Sequence, residues 1–266
     1  MQTSLGVLYL LAFSLQMNTA MQVSKFAAED FVKRCMQSPR SPSSVLSFFY
    51  GVDCHGTDGQ KELREGSCIQ PMSSLWYVGG PEYDKLCAPF APVIREAGQG
   101  ELVGDEWETT VDGIVAQLVL CDQLSRNAFR GTSEAFEYDE TALKHARILT
   151  DKVLERPQQV PLSGEICPPY LTNIVTALMH SEAKDDHGNA IALLNHAKET
   201  TPAALQGWWD GQIKFELDHK QVIDQFGRYP HRNLAKGREN TKEEEAWLAD
   251  VDNLPGWAKS QLAPAK

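Results

Sequence analysis

Apolar residues recur at spacings of three and four in one segment of this chain after another, and nowhere do they alternate between hairpin turns. A spacing of three to four buries one stripe of a helix, whereas a half-buried strand needs a period of two, so the chain is expected to be all-α. The first such run is Tyr83, Leu86, Cys87, Phe90, Val93, Ile94 and Ala97, which Pro89 and Pro92 should split and Gly98 and Gly100 should end. Ile114, Val115, Leu118, Val119 and Leu124 form the second, with Asp112 near its positive end. Asp139 is placed to cap a third, carrying Ala142, Leu143, Ala146, Leu149, Val153 and Leu154. Pro168 and Pro169 open a fourth, whose Leu171, Ile174, Val175, Leu178 and Met179 run into His180-Ser181-Glu182. Thr201-Pro202 starts a fifth with Leu205, Trp208, Trp209, Ile213, Leu217, Val222 and Ile223, and Thr241 to Glu244 reads as a capping box before the last.

Short connections pack helices as antiparallel hairpins, so the expected architecture is an irregular helical superhelix or a bundle of antiparallel helix hairpins. With 266 residues and 42% hydrophobic content the chain can bury a sizeable core, and residues 43–252 are read as a single helical domain. Residues 52–71, with Gly56, Gly59 and Gly66 and no periodicity, are expected to be an exposed loop or insertion, and residues 253–266 a flexible tail.

Residues 1–20 contain the apolar run Leu5 to Phe13, too short to span a bilayer comfortably, followed by small residues at Thr19 and Ala20. They read as a targeting segment to the secretory pathway or an organelle, although Met1 to Ser4 lack the usual positive charge and a cytoplasmic location is the alternative. Residues 21–42 fit either a linker, a second part of that address or an amphipathic helix. No stable membrane insertion of the mature domain is expected. The six cysteines form no Cys-x-x-Cys pair, which leaves a zinc ribbon or a thioredoxin-type dithiol unsupported; in an oxidising compartment Cys54 and Cys68 would be the natural disulfide, and otherwise the cysteines are ordinary buried thiols.

A net charge of −11 excludes general nucleic-acid binding, which needs an extended basic face. Against that acidic background three polar clusters stand out. Asp122 to Gly131 carries Asp122, Arg126, Asn127 and Arg130; if helical, Asp122, Arg126 and Arg130 share a face. His180-Ser181-Glu182 ends an apolar helix. Phe226 to Asn233, with Arg228, His231, Arg232 and Asn233, is followed at once by Gly237-Arg238, and Gly227 and Pro230 make it a shaped loop. Concentrated arginine suits either a small anion or internal carboxylates that tie helix ends together.

These clusters, in this order and spacing, resemble the family known as domain of unknown function 924. The resemblance covers about residues 45–248 through Val45 to Gly51, Trp76-Tyr77, Tyr83-Asp84, Gly100-x-Leu102, Trp107, Asp122 to Gly131, Met179-His180-Ser181-Glu182, His219, Phe226 to Asn233, and Gly237-Arg238 with Thr241 and Glu244. It implies a fold similar to tetratricopeptide-repeat superhelices and brings no established activity. Residues 173–177 depart from the Tyr-Leu-Pro-like run usual there, and the loop at 52–71 and the leader look like additions.

Two functions follow. The first is a helical binding protein that holds a peptide, a protein or a small anionic molecule, with Asp122, Arg126, Asn127, Arg130, His219, Arg228, Arg232, Asn233 and Arg238 as ligand-binding residues. The second is an enzyme acting on a phosphate- or carboxylate-bearing small molecule, with His180 or His231 moving a proton and Glu182 or Asp122 orienting the ring. No metal set, cofactor motif or phosphate-cradling glycine loop is present in the sequence.

Overall fold

The computed structural model describes residues 40–69, 81–155 and 165–259. Among them every regular element is helical, as the periodicity requires. The order is α1 (Pro42–Tyr50), α2 (Thr57–Glu65), α3 (Pro81–Cys87), α4 (Ala91–Gln99), α5 (Asp105–Glu108), α6 (Val111–Val119), α7 (Ser125–Ala128), α8 (Asp139–Leu154), α9 (Pro168–Met179), α10 (Lys184–Thr200), α11 (Gln206–Phe226), α12 (Lys242–Ala249) and α13 (Gly256–Lys259). Helices that follow one another pack together: α8 on α9, α9 on α10 and α10 on α11, while α6 touches α1, α8 and α9. None of the described helices is long and apolar enough to cross a membrane. The targeting segment, Cys35 and the Trp76-Tyr77 pair lie outside the described residues.

The centre is α9, which is hydrophobic all round and buried at every position from Pro168 to Met179. Thr172 and Thr176 donate to carbonyls four residues earlier, and Asn173 Oδ1 accepts from the Tyr50 hydroxyl at 2.7 Å while its Nδ2 is buried without a hydrogen-bond partner. The Pro89–Pro92 stretch splits its segment as expected, with one 3-10 turn at Ala88–Phe90 between α3 and α4. Gly100 ends α4 in the left-handed region at φ +73°.

Four expectations need correction. Residues 57–65 are not an exposed loop but α2, anchored by Leu63 (1% exposed). Gly59 permits this, since a Cβ there would lie 2.2 Å from the Asp53 carbonyl oxygen, and Gly66 caps the helix at φ +75°. Cys54 and Cys68 are separate, buried free thiols, each pushed up to about 12 by burial, and no disulfide joins them. Pro202 precedes a 3-10 turn, and α11 begins only at Gln206. Residues 253–259 are not a loose tail: they form a turn and α13, with Leu254 and Ala258 buried.

Candidate functional site

Asp122 is carried by a π-helical turn, Leu120–Leu124, inserted between α6 and α7. Such a turn widens the helix by one residue, and Ser125 Oγ stabilises it by donating to the Cys121 carbonyl at 2.6 Å. Asp122 is thereby aimed at the end of α9, where its Oδ1 meets His180 Nδ1 at 2.6 Å. Burial would raise this carboxyl, but the His180 ring and then the Arg126 guanidinium outweigh it and hold Asp122 below the usual carboxylate range. His180 moves down as well, through burial and then through Arg126, against the opposing pull of Asp122. At neutral pH the pair is therefore carboxylate and neutral imidazole, with Nδ1–H donating to Asp122 and the lone pair on Nε2. Nε2 has no hydrogen-bond partner among the described residues.

Arg126 and Arg232 flank this pair. Arg126 Nη1 donates to the Asp122 carbonyl (3.0 Å) and to Asp139 Oδ1 (2.8 Å), and it also lies 3.3 Å from Asp122 Oδ1. Arg232 Nη1 donates to the His180 carbonyl at 2.7 Å and reaches Asp139 Oδ2 only at 3.5 Å. Both guanidiniums lie over the Phe136 ring, at 5.5 and 5.6 Å. Asp139, read from sequence as a helix cap, is instead the first residue of α8 and the shared carboxylate between the two arginines. Arg126 Nη2 and Arg232 Nε are buried with no hydrogen-bond partner.

Between these groups lies a cavity of about 50 Å³ lined by Asp122, Asp139, Glu140, Leu143, Ala177, His180, Ser181, Glu182, Arg232 and Lys236. That is room for a few waters or for the polar end of a larger molecule. Lys236, on its rim, makes no ion pair among the described residues.

The turn that presents His180 is pinned from several sides. Tyr229 donates its hydroxyl to the Met179 carbonyl (2.6 Å) and its backbone N–H to Glu182 Oε1 (3.0 Å). Arg238 binds both oxygens of Glu182, at 2.7 and 2.9 Å. Burial would raise the Glu182 carboxyl, yet Arg238 and the Tyr229 N–H bring it below its ordinary value. Ser181 Oγ donates to Asp186 at 2.6 Å, and Arg147 grips Asp186 at 2.9 and 2.7 Å. Behind them His187 donates from Nε2 to the Ser181 carbonyl (3.0 Å) while its Nδ1 lies 2.6 Å from Glu216 Oε1. Both residues of that pair are fully buried.

The expected site residues therefore separate into groups. Asp122, His180, Glu182 and Arg232 come together around the cavity, with Arg126 behind them on Asp122 and Asp139. Arg130 does not share the face of Asp122, because α7 ends at Ala128; its Nε binds Asp84 at 2.9 and 3.1 Å, and its Nη2 donates to Asn127 at 2.8 Å. Asn127 is further tied to the Gln123 carbonyl. Arg228 is held by Glu244 at 2.6 and 2.8 Å, and Asn233 donates to Asn240 and Glu244. Arg238 serves Glu182 rather than the cavity. His219 and His231 do not line the cavity; they stand in a ring cluster with Tyr229 and Trp257, near enough for His180 and Arg232 to act on both rings. Glu182 does not touch a histidine; Asp122 is the carboxylate that orients one. Sequence reasoning missed Asp139, Lys236, Arg147, Asp186 and the His187–Glu216 pair. Only the Asp186-His187 dipeptide, just after the His180 motif, could have drawn attention to them.

No group of three or more His, Cys, Asp or Glu among the described residues could hold a metal ion. The chain matches no curated protein. A solved structure of a protein of unknown function from Agrobacterium tumefaciens is similar at 24% identity and a TM-score of 0.49, over 65% of this chain and 87% of that one. Residues 54–252 match the family described as bacterial protein of unknown function (DUF924), three quarters of the chain, and the protein belongs to that family.

Proposed function

We propose that the chain binds a small molecule carrying an anionic group in the cavity beside His180, and that His180 exchanges a proton with it. The observation that carries this reading is the state of the ring: Nδ1 is committed to an ionised Asp122, and Nε2 is unpartnered on a cavity-lining residue. A neutral histidine fixed by a carboxylate is a general base, so an enzyme acting on a phosphate- or carboxylate-bearing substrate is preferred over passive binding. The anionic group would be met by Arg232, whose one carboxylate contact is long, and by Lys236 on the rim. Arg130, Arg228 and Arg238 already have carboxylate partners and are assigned to the fold instead.

Thermal melts in phosphate and in malonate test this. Either anion should raise the melting temperature of the intact protein, by less in Lys236→Ala and not at all in Arg232→Lys. An intact protein indifferent to both anions would contradict the reading and leave the arginines as structural ties.

A further inference from the structure

We propose that the molecule taken up beside His180 is a small amino acid, its carboxylate held by Arg232 and Lys236 and its ammonium by Asp139 Oδ2 and Glu140. This rests on the anion-binding reading given above and adds to it a cationic end that the ligand must also carry.

The charges around the cavity pair off and leave one of each sign over. Arg126 lies on both Asp122 and Asp139, at 3.3 and 2.8 Å, and Arg238 answers Glu182 at 2.7 Å. Glu140 and Lys236 also line the cavity, yet neither side chain makes an ion pair or a hydrogen bond among the described residues, with the other or with anything else. Arg147, on the same helix as Glu140, feels its charge but gives its hydrogen bonds to Asp186.

The deeper pair is also only half used. Arg232 is 4% exposed; its Nη1 donates to the His180 carbonyl, its Nε is buried without a partner, and it reaches Asp139 Oδ2 only at 3.5 Å. Asp139 gives Oδ1 to Arg126, and Oδ2 has only that long contact. A donor buried without an acceptor costs free energy, and a carboxylate oxygen with one long contact keeps room for a second donor. Asp139 and Glu140 open α8, whose N-terminus carries about half a positive charge, and two carboxylates in that turn outweigh it for an arriving ammonium.

The balance of charge decides between a bare anion and a zwitterion. With His180 neutral, the carboxylates on the cavity wall, Asp122, Asp139, Glu140 and Glu182, are matched by Arg126 and Arg238 behind them and by Arg232 and Lys236 beside them. A bare anion enters such a site as uncompensated charge, whereas a zwitterion adds none and lays each end on a free charge of the other sign. A phosphate group, with about −1.5 to −2 charge at pH 7, would outweigh one ammonium, so a carboxylate is the matching acid.

β-Alanine and propionate share a carboxylate and differ in the ammonium that only the first carries. Each is titrated into the intact, nitrogen-15-labelled protein and followed at the amides of Glu140 and Lys236, with malonate as the reference anion. β-Alanine should bind about tenfold more tightly than propionate, the size of one charge-assisted hydrogen bond. Glu140→Gln, at an exposed position outside the ion pairs of the fold, should remove most of that advantage and leave propionate binding no weaker. Equal binding of the two ligands overturns the proposal, as does an advantage that survives Glu140→Gln undiminished. If malonate shifts these amides and β-alanine does not, the proposal falls and the anion-binding reading stands; if none of the three ligands shifts them, both fall.

Discussion

His180 Nδ1 lies 2.6 Å from Asp122 Oδ1, joining the end of the central helix to a π-helical turn 58 residues away. The histidine is the last turn of a helix buried on every face, and the aspartate sits at 1% exposure beside Arg126. One contact thus couples the core, the charge network and the cavity.

Removing the charge of Asp122 should therefore act on stability as well as on the ring. Asp122→Asn leaves Arg126 with Asp139 alone and should destabilise by about 3 kcal/mol, the lower end for breaking a buried pair. Urea denaturation of both chains measures it.

Acid should unfold the protein from an unusually high pH. Burial pushes His219 down to about 3, and burial together with Lys144 pushes His145 down to about 4. The unfolded chain, with histidines near about 6.5, binds more protons in that interval, so their contribution is complete above about pH 6.5 and is lost as pH falls toward the folded values. Asp122, lowered below an ordinary carboxyl, adds a further loss below about pH 4. Urea midpoints measured down a pH series should fall steadily from about pH 6.5, and His219→Phe should flatten the slope.

Glu244 tests whether Arg228 belongs to the fold. Its carboxylate receives Arg228, Asn233 and the Thr241 N–H of the α12 capping box. Glu244→Ala should cost about 1 to 2 kcal/mol or more, a cap plus an ion pair whose carboxylate is buried, and leave any anion-induced rise in melting temperature intact.

Two helical glycines should respond in opposite directions. A Cβ on Gly211 meets nothing within 4 Å, so Gly211→Ala should stabilise by about 0.5 to 1 kcal/mol. A Cβ on Gly113 would lie 2.1 Å from the Glu106 carbonyl oxygen and 2.7 Å from the Trp107 Cα, and Gly113→Ala should cost about 2 kcal/mol or more because backbone cannot step aside. Thermal melts of the pair decide both.

The helices were legible because their burial is written in a local period: the Leu171 to Met179 stripe, the split at Pro89 and Pro92, and the Thr241–Glu244 box all act within a few residues. α2 was not legible, because what makes it possible is the close approach of the Asp53 backbone to Gly59, a contact that no hydrophobic period records. The same limit applied to the site. Asp122, Arg126, His180 and Arg232 were visible as polar residues bunched in an acidic chain. That Arg228, Arg130 and Arg238 would be answered by Glu244, Asp84 and Glu182 was not, since each partner lies 16 to 56 residues away. Asp139 carried the signature of a helix cap, and only the fold reveals it as a carboxylate shared by two guanidiniums. Trp257 gave no sign of its place over His219, because a Pro-Gly dipeptide before it signals an end to order.

The most direct measurement is a nitrogen-15 NMR titration of His180 in the intact protein and in Asp122→Asn. The expected result is a neutral ring protonated on Nδ1 at pH 7, titrating below about 6.5, and a loss of that single tautomer in the variant. A ring protonated on Nε2, or one that carries its charge at pH 7, would contradict it.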